Sequence, residues 1–333
     1  MQALTPADLQ AIDSETAFEK AVFHTFQYQY EHCDVYRSYC DLINRNPSSV
    51  NCLKKLPYLP VSLFKSRTVI TGNEPIQTVF RSSGTTASTP AQHFVSDLNL
   101  YEWSFRKAFA NDYGAIEDFV VLALLPSYLE RQDASLVYMV SEMIAKSGKK
   151  ESGFYLNEWE ALAEQLQHLE AQGQKTLLIG VSFALLDFGS RFPQQLHHTT
   201  VMETGGMKGR KKELVRSELH RELQKTFGTS SIHSEYGMTE MLSQAYAQKE
   251  GLFSAPSWMD ISIRDTTDPF YNLALGQIGG INVIDLANQN SCAFLATQDL
   301  GKKHDNKRFE VLGRFDTAEI RGCNLMAGDA SQS

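Results

Sequence analysis

The sequence predicts an α/β protein with a helical lead-in and a β-rich end. Three observations carry this. Apolar residues recur at helical spacing through residue 55. Helix and strand patterns then alternate to residue 245. Beyond it helical periodicity is lost. With 333 residues, 42% of them apolar and 21% charged, the chain is long enough to bury a substantial core without disulfides or metals.

Each element follows in order. Phe18, Val22, Phe23 and Phe26 mark one helix face, and Tyr36, Tyr39, Cys40 and Ile43 a second. Pro57 and Pro60 end the helical run. Strands are expected at 67–71 and 77–81, then a helix at 98–112 and a strand at 118–125 closed by Pro126. Helices at 134–147 and 158–171, a strand at 175–181 and a short helix at 183–188 come next. A strand at 199–203 leads to Gly205-Gly206, a long helix at 208–227 follows, and a strand at 230–234 enters a turn at 235–240. Strand-helix-strand alternation of this kind predicts parallel strands with helices on both faces. The later strands, at 257–264, 279–285, 293–297, 309–313 and 318–321, predict a smaller β-rich subdomain. The expected organisation is one unit over 1–326, with a lead-in at 1–80, an α/β core at 81–245, a β-rich part at 246–326, and a tail at 327–333.

The formal charge is −8, which excludes a general polyanion-binding surface and predicts no nucleic-acid partner. Arg210, Lys211 and Lys212 form the tightest basic cluster and read as a solvated helix face. No apolar run approaches the ~20 residues of a membrane span. The first 19 residues are polar and acidic and lack the apolar core of a secretion signal. The five cysteines lack the paired spacing of a zinc site. These features predict a cytoplasmic chain with free thiols.

Two segments carry chemistry. Six of the ten residues from Arg81 to Pro90 are Ser or Thr, in Arg81-Ser82-Ser83-Gly84-Thr85-Thr86-Ala87-Ser88-Thr89-Pro90. Hydroxyls and backbone N–H groups around a Gly can converge on one point and form an anion nest for phosphate oxygens. Gly84 permits close backbone approach. This is not a Walker loop, because the Gly-Lys-Ser/Thr ending is absent, and an ordinary polar surface loop is the alternative. The second segment is Glu235-Tyr236-Gly237-Met238-Thr239-Glu240, directly after a predicted strand. Ligands of open α/β sheets bind at the carboxyl ends of strands. There Tyr236 can stack on a purine, Thr239 can donate to a phosphate oxygen, and Glu240 can hold Mg²⁺. A turn shaped by Gly237 alone is the alternative.

In this order the two segments resemble the core motifs of adenylate-forming enzymes. Glu203-Thr204-Gly205-Gly206 is similar to their adenine-contacting loop, Thr297-Gln298-Asp299-Leu300-Gly301 to the segment whose Asp binds the ribose, and Gly313-Arg314-Phe315-Asp316 to the hinge whose Arg also reaches it. Leu56–Lys65 and the run from Gly313 to Leu325 resemble in particular the acyl-protein synthetases, over residues 15–326. The resemblance implies the adenylate-forming N-terminal core of stacked α/β subdomains, with ATP and Mg²⁺ as cofactors and a carboxylic acid, in that family's manner a fatty acid, as substrate. It also implies an acyl-accepting reductase or carrier protein as partner, and an acyl group passed from the adenylate to Cys323.

The nucleotide residues it implies are Ser82, Ser83, Gly84, Thr85, Thr86, Gly205, Gly206, Tyr236, Gly237, Asp299 and Arg314, with Thr239, Glu240 and Cys323 catalytic and Glu240 the metal ligand. Ala87 stands where the family has a second Gly, and no Lys follows Pro90. The family's mobile C-terminal domain, with its catalytic Lys, has no counterpart up to residue 326, so an internal Lys or Arg would have to neutralise the α-phosphate, with Lys65 and Lys208 as candidates. Ser127, Tyr128 and Arg131 follow a strand and are placed to line an acid pocket. His233 precedes the turn, as a gate or as a structural residue. Cys292 lies on an apolar strand pattern and reads as packing. Two other readings stand beside the first: an aryl- or acyl-CoA ligase, and a nucleotide-binding partner of a reductase without turnover.

Overall fold

A computed structural model describes residues 1–82, 89–125, 133–205, 214–305 and 307–314. The lead-in holds three helices, α1 (Pro6–Gln10), α2 (Glu15–His32) and α3 (Asp34–Leu42), followed by a two-residue strand β1 (Leu59–Pro60). Thr5 and Asp8 cap α1 reciprocally, with Pro6 in its first turn, and Ser14 caps α2. A hairpin of β2 (Thr78–Arg81) and β3 (Gln92–Val95) precedes α4 (Leu98–Tyr113), which Asp97 caps. The alternating part runs β4 (Val120–Leu124), α5 (Ser135–Ser147), β5 (Gly153–Phe154), α6 (Trp159–Ala171), β6 (Thr176–Val181), α7 (Ser182–Arg191), β7 (Thr199–Thr204), α8 (Arg216–Phe227) and β8 (His233–Tyr236). Then come β9 (Ala245–Ala247), β10 (Leu252–Ser254), β11 (Met259–Arg264), β12 (Ile278–Asp285), β13 (Phe294–Lys303) and β14 (Arg308–Arg314).

Among the described residues one 12-stranded sheet organises the fold, in the order β11-β12-β13-β14-β10-β9-β8-β7-β6-β4-β5, with β1 paired to β13. From β5 to β8 the strands are parallel. From β8 to β11 they are antiparallel. Every residue of β4 and β6 is buried, as parallel strands covered on both faces must be. Tyr101 of α4 packs on Phe80 and on Tyr138 of α5. Phe188 of α7 packs on Trp159 of α6 and Phe227 of α8. These two groups of helices cover the two faces.

The lead-in belongs to the antiparallel half. Phe26 and Tyr36 pack on Phe294. Buried Gln29 donates to the carbonyls of Asn288, Gln289 and Ser291 and accepts from the Ala293 N–H at 3.0 Å. A single side chain thus satisfies the backbone of a buried non-strand segment 260 residues away in sequence.

The structure corrects three expectations. Residues 67–71 form no strand; Thr71 N–H instead donates to Asn290 O and its hydroxyl to Ser291 O. The helix expected from 208 starts at Arg216, because Leu214 and Val215 are not helical. The strand expected from Asp118 starts at Val120, after a 3-10 turn at Ile116–Asp118. The strand expected at 318–321 lies outside the described residues, and β1, β3, β5, β9 and β10 have no counterpart in the sequence reading. Among the described residues no helix is long and apolar enough to cross a membrane.

Candidate functional site at the carboxyl edge of the sheet

Parallel pairing puts the carboxyl ends of β4, β6, β7 and β8 along one edge. The β2–β3 hairpin is anchored there. Arg81 N–H donates to Asp133 O at 2.8 Å, and its guanidinium lies 3.3 Å from the Asp133 carboxylate. Ser82 N–H donates to Ala91 O, and Ala91 N–H donates to Ser82 Oγ at 2.9 Å. Ser82 therefore closes the neck of the loop whose Ser83, Gly84, Thr85 and Thr86 lie outside the described residues.

After β8 the chain turns, with Met241 N–H donating to Met238 O. The turn is gripped by buried groups. His93 Nδ1 lies 2.8 Å from Thr239 O. Asn288 Nδ2 donates to Glu240 O at 2.8 Å and to Cys292 O at 2.9 Å. Asp285 accepts from Leu242 N–H and Ser243 N–H at 2.8 and 3.0 Å, and from the Ser243 hydroxyl. Burial raises the Asp285 pKa against those hydrogen bonds. Burial also drives His93 down to about 4, opposed by Thr239 O and the Asn288 side chain. His93 is thus neutral near pH 7, and its Nδ1–H is the donor to Thr239 O.

Tyr236, at the end of β8, is buried with its ring against the edges of Phe253 and Phe309. Its hydroxyl donates to Asp299 Oδ2 at 2.9 Å. Asp299 of β13 pairs in register with Arg314 of β14, and Arg314 Nε lies 3.6 Å from Asp299 Oδ1. The Arg314 side chain is 65% exposed, so this pair contributes little to stability and leaves the guanidinium accessible. Behind Asp299, buried Arg264 donates to Ile281 O, Asn282 Oδ1 and Thr297 O. Burial lowers its pKa to about 10, so it stays charged. Gly280 makes room for it: a Cβ there would stand 2.6 Å from Arg264 Cζ. Gly301 has a similar reason, since a Cβ would stand 2.5 Å from Ile281 Cδ1 and 2.6 Å from Glu310 O.

Gly205 follows β7 with a φ of +68°, a left-handed conformation suited to glycine. Ser182 Oγ lies 2.9 Å from Gly205 O and 3.0 Å from Glu203 Oε2. Burial pushes the Glu203 carboxyl up, but His220, Arg216 and Ser234 outweigh it and hold it below the usual carboxylate range. On the other face Glu235 accepts from Thr204 Oγ1. Burial raises Glu235 to about 7, with Glu203 adding to the rise and Thr204 opposing it.

The structure therefore brings Tyr236, Asp299 and Arg314 together, sets Gly205, Gly237, Thr239 and Glu240 on adjacent strand ends, and places Ser82 at the hairpin neck. Gly206, Cys323, Ser127, Tyr128, Arg131 and Lys208 lie outside the described residues. His233 stands at the start of β8, at the other end of the strand, with Nδ1 3.1 Å from Tyr113 Oη. Cys292 is fully buried. Lys65 closes a 3-10 turn at Val61–Lys65. His93, Asn288, Asp285 and Arg264 were missed in the sequence because each acts through a backbone group or neighbour remote in sequence.

The chain is similar in sequence and in fold to known proteins. The family model "Acyl-protein synthetase, LuxE" matches residues 3–98. The long-chain-fatty-acid–luciferin-component ligase of Vibrio harveyi is 22% identical over 98% of this chain and 91% of its own. The namesake ligase of Photorhabdus luminescens is 34% identical over 74 residues, 22% of this chain and 63% of that one. A 2-hydroxyisobutyryl-CoA ligase, in an open conformation with its acyl-AMP and CoA, superposes with a TM-score of 0.64 over 96% of this chain and 76% of that one, at 14% identity. ATP-bound MatB from Rhodopseudomonas palustris superposes with a TM-score of 0.55 over 73% of this chain, at 18% identity. The chain spans 49% of that MatB chain. The fold is that of adenylate-forming enzymes, and the named sequence relatives are ligases.

Proposed function

We propose that this chain activates a carboxylic acid as its acyl-adenylate and then transfers the acyl group to a thiol. The observation that supports this best is the convergence of Tyr236, Asp299 and Arg314 with the Thr239–Glu240 turn and the hairpin neck at one sheet edge. In the proposed reaction a carboxylate oxygen attacks the α-phosphorus of ATP, and pyrophosphate leaves with the electron pair of the broken P–O bond. Asp299 and Arg314 hold the ribose and Tyr236 the base, so that binding itself orients the attack. Ser82, Ser83, Thr85, Thr86 and Thr239 donate to the phosphate oxygens as charge builds.

No group of three metal-binding side chains exists among the described residues. Mg²⁺ needs only one or two carboxylates beside substrate phosphates, and Glu240 is the residue proposed to hold it. When bound it neutralises charge on the phosphates. In the second step a thiolate attacks the acyl carbonyl and AMP leaves. Cys323 is the proposed thiol, a fatty acid the proposed substrate class, and an acyl-accepting reductase or carrier protein the proposed onward partner.

The test is carboxylate-dependent exchange of labelled pyrophosphate into ATP over acids from acetate to palmitate. Exchange with one class of acid is expected; none with any acid overturns the reading. Labelled acyl groups that stay on the denatured wild type but not on Cys323→Ser assign the thiol. Free acyl-CoA formed without labelled protein assigns a CoA ligase instead.

A further inference from the structure

We propose that His93 and Asn288 are positioning residues: His93 ties the Thr239–Glu240 turn to the β2–β3 hairpin and Asn288 ties it to the segment after β12, so that the turn and the hairpin act as one rigid unit. The proposal rests on the function proposed above and goes beyond it, because neither residue belongs to any nucleotide-facing motif.

The geometry is specific. Two consecutive carbonyls, of Thr239 and Glu240, are each held by a buried side-chain donor, at 2.8 Å in both cases. His93 is 1% exposed and Asn288 0%. The donors come from different elements. His93 lies on β3, in register with Phe80, two residues from the hairpin neck formed by Ser82 and Ala91. Asn288 lies in the 3-10 segment Leu286–Asn290 that follows β12. Phe64 packs edge-on against the His93 ring at 5.8 Å and fixes its plane. Asp285 holds the Leu242 and Ser243 N–H groups just beyond the turn.

A turn whose carbonyls are both taken by buried donors cannot rotate its peptide planes without leaving the buried His93 N–H unpaired and the Asn288 amide with only its Cys292 O bond, which is unfavourable away from water. The Thr239 hydroxyl and Glu240 carboxylate are then placed by the backbone rather than selected from many orientations. Because His93 belongs to the hairpin, any shift of the Ser/Thr loop's base is transmitted to the turn. Positioning of this kind is worth much in phosphoryl transfer, where the protein contributes orientation and charge rather than covalent chemistry.

His93→Leu removes the donor while keeping bulk, and His93→Asn keeps a donor near the position of Nδ1. Hydrogen–deuterium exchange of the peptide covering 237–243, pyrophosphate exchange and MgATP binding are measured on the full chain. For His93→Leu we expect faster amide exchange in that peptide, a roughly 10- to 100-fold loss of kcat, and KM for ATP changed far less. His93→Asn is expected to restore most of both. Unchanged amide protection in His93→Leu overturns the clamp, whatever the activity. Lost protection with unchanged kcat overturns its role in positioning. If wild type shows no exchange with any acid, the functional reading fails, while the protection data still decide whether the clamp exists. If His93→Leu does not fold, Asn288→Ala, which frees Glu240 O, carries the same measurements.

Discussion

The two halves of the sheet place their functional groups differently. In the parallel half, Gly205, Gly237, Thr239 and Glu240 sit just beyond strand ends. In the antiparallel half, Asp299 and Arg314 sit on the strands themselves, opposite each other in register. A group beyond a strand end must be fixed by side chains from elsewhere, as His93, Asn288 and Asp285 fix the turn. A group on a strand is fixed by the ladder. The parallel half therefore depends on remote donors and the antiparallel half on register and on space for close packing.

The largest expected effect breaks the strand-borne pair. Asp299→Ala removes the acceptor of the Tyr236 hydroxyl and the partner of Arg314. Loss of the proposed charge-assisted hydrogen bond to the ribose and of the one to Tyr236 should lower kcat/KM for ATP by about 10²-fold or more, at about 1.5–3 kcal/mol each. Steady-state exchange kinetics check it, and an effect under threefold would separate Asp299 from the nucleotide.

Next is the ion cluster under the Gly205 loop. Arg216→Met leaves Glu203 buried beside His220 with its main cation gone. A loss of about 3 kcal/mol in urea-unfolding free energy is expected for breaking a buried pair. The pH dependence has a defined sign. Glu203 has a lowered pKa, so its contribution is present above the unfolded carboxylate pKa and is lost as pH falls through the folded value.

Glu235, one strand away, does the reverse. Its pKa is raised to about 7, so the folded state keeps a proton that the unfolded chain releases. Stability falls as pH rises from the unfolded value to about 7, by about 3 kcal/mol. Glu235→Gln should remove that slope, read as melting temperature against pH. A wild-type curve flat between pH 5 and 7 would contradict this.

Much of this was legible in the sequence, for a physical reason. Alternation of period marks the α/β part because buried parallel strands are continuous apolar runs, as Val120–Leu124 and Thr176–Val181 are. The turn at Glu235–Glu240 and the Asp299 and Arg314 segments stood out as short motifs. What was not legible depends on distance in sequence. Gln29 reaches Ser291, and His93 reaches Thr239. Strand β1 pairs with β13, so the first helices are bound to the last strands. Two- to four-residue strands such as β3 and β9 are too short to show a period, and the stretch at 67–71 has strand-like residues, but Thr71 N–H donates to Asn290 O and Val69 O accepts from the Ser291 hydroxyl.

Smaller effects sharpen the contrast. Gly301→Ala should cost about 1–3 kcal/mol by forcing Ile281 or β14 to move, visible as a lower unfolding midpoint. His233→Ala, at the far end of β8, should cost about 1 kcal/mol for its Tyr113 contact and leave exchange kinetics unchanged. A large kinetic effect there would move the acid site toward that end of the strand.

The central claim is that a carboxylate attacks the α-phosphorus at this edge. It is tested most directly by incubating the chain with ATP and an ¹⁸O-labelled acid that supports turnover, then weighing the released AMP. The account requires AMP carrying one ¹⁸O, passed on when the acyl–oxygen bond breaks. Label found in inorganic phosphate beside ADP, or in neither product, would contradict it.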